Sequence, residues 1–446
     1  MRRGRTAVRL FLLLLFACGA VCACVTRSVN ADVRFGDSLW VAPGADLEGV
    51  FGADGPRVAA RDGERRWETA LRAPFRVGLF PLRLVADGLE AGVGYLGPRY
   101  FDPKPMAARG RGLAVAPHVA LDAMNDIGLG PAITWAGFPT PDARLDVSGS
   151  WSTIDRRRAH FGGVLGDRRP VGFRLRADYD AQPNRRYYGV GNDTPRTGLS
   201  YFMLESADVE AGILLGSAPL RRLRIIGGFS SMSPRRGYNG SPVLEDVLAP
   251  GAGPFAHRST RELWYGVAGE LASLDDGRDP SRGLHALVDL RRAAGLRSGD
   301  PDYDQWRLEG RAYVPVFAKR RVIAVRGVFT GIEPRGEATP ILPFYRLARS
   351  VGATRFAGYA SERFCDRQLI LARIEYRWAI LYRMSALTLV ELGAVAPRLT
   401  SFRLSNMHPS YGGGLRLGLN DAVTLRCELA RSVEGYHAVL ALGGDF

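Results

Sequence analysis

Histidine, cysteine and serine carry much enzyme chemistry, and their arrangement in this chain matches no catalytic pattern. No H-E-x-x-H, G-x-S-x-G or paired C-x-x-C motif occurs. The six histidines are scattered without metal-ligand spacing: His118, His160, His257, His285, His408 and His437. The sequence therefore predicts a protein that is not an enzyme and that has no catalytic residue, metal site or cofactor.

The stretch GATRFAGYASERF, residues 352–364, has a composition that is unusual for a surface loop. It combines aromatic residues, glycines and charges, and it lies between two runs that alternate apolar and polar residues. We predict that it packs against another part of the protein. Its candidate residues are Arg355, Phe356, Ala357, Gly358, Tyr359 and Arg363.

The net charge of +15 comes almost entirely from arginine. Lysine occurs only at Lys104 and Lys319, so all but two of the 60 basic residues are arginine. This bias suggests an arginine-rich genome more than a nucleic-acid surface, where the two residues would mix. We expect no nucleic-acid partner. The arginines could instead face anionic lipid head groups or line a polar cavity.

The first 31 residues have the order of a secretory signal peptide. Arginines precede an apolar run from Leu10 to Val25, and small residues precede a cleavage position before Asp32. A membrane anchor would need about 20 apolar residues, and this run is shorter. Cys18 and Cys24 each end a stretch that resembles a lipoprotein box, which leaves lipidation open. Beyond this leader only Cys365 and Cys427 remain, so no disulfide framework is implied.

We predict that residues 32–112 form a mostly irregular periplasmic extension and that residues 113–446 form an all-β domain. Within the extension, apolar residues at helical spacing predict a short amphipathic helix near 81–96. After Gly112 the period changes to two. In QLILARIEYRW, for example, Ile374 and Tyr376 oppose Arg373 and Glu375.

Opposed charges at nearly every position of one face are unusual for the water-facing side of a soluble sandwich. With a signal peptide, they predict a transmembrane antiparallel β-barrel in which the apolar face meets lipid and the charged face lines the interior. An even number of strands is expected for such a barrel, and the alternating runs number sixteen. They lie near 113–122, 127–137, 143–153, 157–165, 170–180, 199–212, 221–231, 261–274, 283–292, 302–315, 318–330, 367–379, 384–394, 410–419, 421–431 and 437–446.

The last strand ends on an aromatic residue. In HAVLALGGDF, alternate apolar positions lead to Phe446. A terminal aromatic on an alternating strand resembles the signal by which outer-membrane barrels are recognised for assembly. Phe446 is therefore the candidate C-terminal barrel signal.

The final third of the chain resembles the BamA/TamA outer-membrane assembly family, the bacterial surface antigen superfamily. ATRFAGYASERFCDRQLILARIEYRW is similar to the family's loop motif and the strand that follows it, and LVELGAV to its strand motif. HPSYGGGLRLGLNDAVTLRCELARSVEGYHAVLALGGDF follows its ending, and RRYYGVGNDTP resembles an upstream element. The resemblance implies a sixteen-stranded barrel whose sixth extracellular loop folds into the lumen between strands eleven and twelve. The count of alternating runs places residues 331–366 there.

The loop motif V/L-R-G-F/Y falls on Phe356, Ala357, Gly358 and Tyr359, so alanine stands at the position of the family's arginine. The family's strand aspartate corresponds to Glu391, the expected inner-wall partner. We hypothesise that Arg355 or Arg363 reaches Glu391 instead. The alternative is that Glu391 is one more charge of the lumen.

The resemblance implies a bacterial outer-membrane protein that contacts membrane lipids and acts in outer-membrane protein assembly, insertion or translocation. Its partners would be unfolded outer-membrane proteins. Residues 32–112 hold no succession of strands and helices of the POTRA type, so a separate periplasmic partner with POTRA-like repeats is expected. The alternative is a passive pore or structural barrel plugged by its sixth loop, without insertase activity.

Overall fold

A computed structural model describes residues 112–121, 127–166, 169–216, 221–238, 240–247, 258–276, 279–316, 321–336, 342–380, 384–418 and 424–442. The predicted signal peptide, both candidate lipidation cysteines Cys18 and Cys24, the extension with its helix and the terminal Phe446 lie outside these ranges. They remain predictions, as does the division of the chain into domains.

Sixteen antiparallel strands form one sheet in which each strand pairs with its neighbours along the chain. This confirms the predicted all-β fold class and the predicted number of strands. The strands are β1 Gly112–Leu121, β2 Ile127–Ala136, β3 Ala143–Ser152, β4 Arg157–Leu165, β5 Val171–Tyr187, β6 Ser200–Leu215, β7 Arg221–Arg236, β8 Thr260–Leu274, β9 Gly283–Gly295, β10 Tyr303–Pro315, β11 Arg321–Pro334, β14 Gln368–Ala379, β15 Met384–Ala396, β16 His408–Gly418, β17 Thr424–Ser432 and β18 Gly435–Leu442. A separate two-stranded sheet joins β12 Ala348–Arg349 to β13 Cys365–Asp366.

Helical structure in the described ranges is confined to short turns. One α-helical turn spans Leu244–Val247. The 3-10 turns are Arg196–Gly198, Phe344–Arg346, Gly352–Thr354, Leu399–Ser401 and Leu404–Asn406. No helix in the described part of the chain is both long enough and apolar enough to cross a membrane.

Burial in this sheet is inverted relative to a soluble protein. On β14, Arg373 is 6% exposed and Glu375 is 0% exposed, whereas Ile374 between them is 49% exposed. On β9, the apolar Leu290 is 50% exposed while its neighbours Asp289 and Arg291 pair with each other. An apolar outer face around a charged interior is the arrangement of a transmembrane β-barrel of the outer-membrane type.

Several strands are longer than the alternation predicts. β5 was expected to end near residue 180 but continues to Tyr187. A bulge lies between Gln182 and Arg185, where the register with β6 shifts. An extra residue at a bulge changes which face the following side chains occupy, so the simple alternation ends there although the strand does not.

The described parts of the strands differ in length. Strand β5 has 17 residues and β6 has 16, whereas β17 has 9 and β18 has 8. The short strands lie beside the two ends of the sheet order, β1 and β18. We call the two sheet edges formed by these end strands the seam.

Candidate functional site

The loop between β11 and β14, residues 335–367, enters the barrel, and we call it the lumen loop. Its described residues are 335–336 and those from Leu342 onward. Its position between the eleventh and twelfth strands of the barrel sheet agrees with the position predicted from the strand count. The sequence-predicted residues Phe356, Ala357 and Tyr359 are buried in it, at 1%, 3% and 0% exposure.

Three aromatic rings form the tip of the lumen loop. The ring centroids of Tyr359 and Phe364 are 5.2 Å apart, and those of Phe356 and Phe364 are 5.5 Å apart. The rings pack on apolar residues of the inner wall, which are Val328, Leu369, Leu371 and Val395. The loop tip therefore covers an apolar patch of the otherwise charged inner wall.

Two glycines allow the loop tip to pack this closely on the wall. A Cβ atom at Gly358 would lie 2.4 Å from the Cβ of Ser410, and one at Gly393 would lie 2.3 Å from the Phe356 ring. Neither distance is compatible with van der Waals packing. Glycine at these two positions lets the loop backbone approach β16 and lets Phe356 lie against β15.

Glu391 holds the loop tip through the main chain. The backbone N–H of Ala357 donates a hydrogen bond to Glu391 Oε2 at 2.5 Å, and Ser410 Oγ donates to the same oxygen at 3.2 Å. The other oxygen, Oε1, accepts from Arg373 Nη1 at 2.9 Å. Glu391 is 1% exposed, so its charge is balanced inside the barrel by Arg373.

Arg373 belongs to a buried ion network on the inner wall. Its guanidinium lies 2.6 Å from Glu375 and 2.6 Å from Glu428 as well as 2.9 Å from Glu391. Glu375 also pairs with Arg377 at 2.7 Å and with Arg426 at 2.6 Å. These charges hold one another in place across β14, β15 and β17.

We hypothesised that Arg355 or Arg363 reaches Glu391; for Arg355 this stays a prediction. Arg363 lies elsewhere: its Nε pairs with Glu434 at 2.7 Å and its Nη1 donates to Thr194 Oγ1 at 2.8 Å. Arg355 is half-buried just before Phe356. The path of the loop brings Arg363 to the β17–β18 turn, and Glu391 is paired with Arg373 on the neighbouring strand.

A second anchor of the lumen loop was not predicted. Glu362, 1% exposed and with a φ of 62°, accepts hydrogen bonds from Arg185 Nε at 2.6 Å and from the backbone N–H of Arg186 at 2.8 Å. Burial disfavours the charged form of Glu362, but Arg185, Arg349 and these hydrogen bonds outweigh burial and hold the pKa of the carboxyl below its usual value.

The upstream element RRYYGVGNDTP lies against the lumen loop and supplies this anchor. The backbone N–H of Gly191 donates to the Cys365 carbonyl at 2.9 Å, and the Cys365 thiol donates to the Gly189 carbonyl at 3.2 Å. Asn192 Oδ1 accepts from the Val395 backbone at 3.0 Å, which ties the element to β15 as well. The only sequence signal for this role was the resemblance of the element to a family motif.

This arrangement is a loop clamped inside a barrel by carboxylates. In the described ranges, no group of three or more His, Cys, Asp or Glu residues is placed to hold a metal ion. The acidic side chains at the centre of the site, Glu391 and Glu362, are occupied by fixed donors. The site therefore holds the loop in place by hydrogen bonds and ion pairs.

Solved structures show what class of barrel this is. The chain is similar to the crystal structure of BamA from Haemophilus ducreyi lacking POTRA domains 1–3, with a TM-score of 0.55 and 13% identity over 75% of this chain and 70% of that one. CdiB from Acinetobacter baumannii matches with a TM-score of 0.43, and CdiB from Escherichia coli with 0.44, each at 13% identity over 74% of this chain. The match spans 65% and 60% of those two chains, less than two thirds of their length.

A scan against protein-family models and a search of curated proteins found no match. The chain is a transmembrane β-barrel of the bacterial outer-membrane type, as its inverted burial and even strand number require. It has the BamA fold, which confirms at the level of fold the resemblance noted from the sequence.

Proposed function

We propose that this protein acts in the assembly, insertion or translocation of outer-membrane proteins. A shared fold by itself does not determine function. The observation that carries the proposal is the link between the lumen loop and the end of the barrel: Arg363 of the loop pairs with Glu434 in the β17–β18 turn at 2.7 Å. The state of the loop is thereby connected to the hairpin beside the seam.

The seam is the place where an incoming strand would be received. Strand β18, described over Gly435–Leu442, is an end strand of the sheet and pairs in the described ranges with β17. A strand edge that opens there offers free N–H and C=O groups, and an extended segment of another chain can add to such an edge. The partners would be unfolded outer-membrane proteins, delivered by a separate periplasmic protein with POTRA-like repeats. Membrane lipids surround the barrel throughout.

The test is insertion of a urea-unfolded outer-membrane barrel into liposomes that contain this protein. We expect faster insertion than into empty liposomes, and a disulfide engineered between β1 and β18 should abolish the gain under oxidising conditions. Reduction should restore it. The matched control is a disulfide between β8 and β9, far from the seam. Full activity of the β1–β18 disulfide form would exclude opening of the seam.

A second candidate function is a passive pore or structural barrel plugged by the lumen loop. The number of buried contacts that fix the loop favours it, since Glu362, Glu391 and Glu434 each hold the loop. On this alternative, the protein would not accelerate insertion. Deletion of residues 342–366 would then produce steady single-channel conductance in planar bilayers without changing the insertion rate.

A further inference from the structure

The loop between β15 and β16, residues 397–407, packs on the outside of the barrel, and we call it the rim loop. Its Phe402 is 6% exposed and contacts outward-facing residues of the wall. These residues are Ala394 and Ala396, with Phe329, Ile370 and Met407 beside them. Ile370 and Ala394 are register partners on the face that alternates with the buried charges, which is the lipid-facing side.

The rim loop contains the same short motif twice. Arg398-Leu399 and Arg403-Leu404 each place the arginine before a 3-10 turn and the leucine at its start, and the turns span Leu399–Ser401 and Leu404–Asn406. Phe402 lies between the two copies and fixes both to the wall. Leu399 is 40% exposed and Leu404 is 66% exposed, and both arginines are exposed.

The charge around this loop is unbalanced. No aspartate or glutamate occurs between Glu391 and Asp421 in the sequence. Most arginines of the barrel interior are paired with carboxylates, but within the described ranges the guanidinium groups of Arg398 and Arg403 form neither ion pairs nor hydrogen bonds. Two unpaired cations, each beside an exposed leucine, therefore border the membrane-facing surface of the barrel.

We propose that the rim loop is a binding surface for anionic lipids. Its leucines insert among acyl chains, and Arg398 and Arg403 bind the phosphate groups of the head groups. Arginine suits this position because its apolar stem can lie along lipid while its planar guanidinium donates to phosphate oxygens. Trp306 and Phe329, with ring centroids 6.2 Å apart, lie on the same outer wall, and aromatic residues are typical of the membrane interface.

The lipid is in the leaflet on the side of the longer loops. The rim loop and the lumen loop both follow odd-numbered strands of the barrel sheet, so they lie at the same end. In bacterial outer-membrane barrels the longer loops face the cell exterior. This inference goes beyond the proposed function, since it holds for an insertase and for a passive pore alike.

Native mass spectrometry of the full-length protein in neutral detergent tests this inference with three probes: short-chain phosphatidylglycerol, short-chain phosphatidylcholine and glycerol phosphate. We expect the native protein to bind phosphatidylglycerol more tightly than phosphatidylcholine, and glycerol phosphate weakly. Replacement of Arg398 and Arg403 by Gln should weaken phosphatidylglycerol binding by about fivefold for each arginine, the effect of one charge near an anionic surface. Phosphatidylcholine binding should weaken less, because the choline group balances the charge of its phosphate. Replacement of Leu399 and Leu404 by Ser should weaken the binding of both lipids.

The matched control removes two arginines that are already paired at the same end of the barrel. Arg236 pairs with Asp246 at 2.9 Å, and Arg335 lies 3.6 Å from Asp304. The R236Q/R335Q variant should bind all probes like the native protein, and a heat-dependent shift in gel mobility shows that each variant is folded. An equal loss in this control would show a general charge effect and overturn the proposal.

Two further outcomes contradict a lipid surface. The first is phosphatidylglycerol binding by R398Q/R403Q within about twofold of the native value, far less than the loss of two charges near an anionic surface would cause. The second is glycerol phosphate binding as tight as phosphatidylglycerol binding, which would indicate a site for free anions. If both leucine and arginine variants bind lipid normally but lose self-association, the surface belongs to a second copy of the chain.

Discussion

The backbone N–H of Ala357 and the carboxylate of Glu391 are joined by a 2.5 Å hydrogen bond. The loop tip is thus attached to the wall without any side chain of residue 357. The positive charge that Glu391 needs comes from Arg373, its register partner on β14, at 2.9 Å. Compared with the motif that the loop resembles, the positive charge lies on the wall instead of at position 357, and the loop contributes only a hydrogen-bond donor, the backbone N–H of Ala357.

This relocation predicts that an arginine at position 357 is harmful. Ala357 is 3% exposed and packs with Leu387, Leu389 and Ala430. A357R would bury a second guanidinium beside a carboxylate that Arg373 already neutralises. We expect the variant to lose about 3 kcal/mol of stability, the lower end of the effect of an uncompensated buried charge. The temperature at which the gel mobility of the folded barrel changes measures this loss.

The double variant A357R/R373M shows whether A357R loses stability through its added charge or through its added volume. In A357R/R373M the new arginine can take the place of the old one at Glu391, so part of the lost stability should return. The R373M variant alone leaves Glu391, Glu375 and Glu428 without their shared cation and should be destabilised. If A357R/R373M is less stable than the sum of both single changes predicts, steric crowding at position 357 decides the outcome instead.

Substitutions at Glu391 should differ according to what they preserve. E391Q removes the charge but keeps an oxygen that can accept from Ala357, whereas E391K places a cation beside Arg373. Breaking a buried pair is worth about 3–5 kcal/mol, so we expect E391K to fall in that range and E391Q below it. Release of the loop can be followed by maleimide labelling of the buried Cys365 in a chain that carries C427S and lacks its first 31 residues. Equal labelling of E391K and the parent would show that Glu391 does not hold the loop.

Acid should weaken the second anchor. The pKa of Glu362 in the folded protein lies below its ordinary value of 4.5. Its contribution to stability is therefore complete above pH 4.5 and is lost as the pH falls through the lower folded pKa. The difference in midpoint temperature between the parent and E362Q should be largest near neutral pH and should shrink below about pH 4.5. A difference that stays constant down to strongly acidic pH would contradict this role of the carboxylate.

The sixteen strands could be predicted from the sequence because apolar and charged residues alternate along each strand with a period of two residues. Arg373, Ile374 and Glu375 are an example: the apolar Ile374 is exposed on the outer face, and the two charged residues beside it are buried on the inner face. The end of β5 was not predictable in this way. The bulge after Gln182 breaks the alternation while the backbone pairing with β6 continues.

The aromatic tip of the lumen loop was visible in the sequence, but its ionic partners were not. Arg185 and Glu362 are separated by 177 positions, and nothing in a local pattern relates them. The partner of Arg363 depends on the path of the loop inside the barrel, which brings it to Glu434 instead of Glu391. Which charges pair over a long sequence distance depends on the three-dimensional arrangement of the strands and loops, and the period of the sequence gives no information about it.

The close approach of Gly358 to β16 gives the most direct test of how tightly the loop is seated. Its φ is not in the left-handed region, so alanine is permitted by the backbone and the effect of G358A is purely steric. The new methyl group would lie 2.4 Å from Ser410 Cβ and 3.1 Å from the Arg431 carbonyl. We expect G358A to lose about 1–3 kcal/mol, as overpacking a dense site does, and to expose Cys365 to maleimide.

Removal of the nearest obstacle should recover part of this loss. S410G takes away the Cβ that the new methyl group meets, so G358A/S410G should be more stable than G358A, although S410G alone loses the hydrogen bond from Ser410 to Glu391. G269A is the matched control, because a Cβ at Gly269 meets nothing within 4 Å. It should leave both the midpoint temperature and the labelling of Cys365 unchanged. If G358A behaves like G269A, the loop can retreat from β16 without penalty, and the loop tip is not a fixed plug.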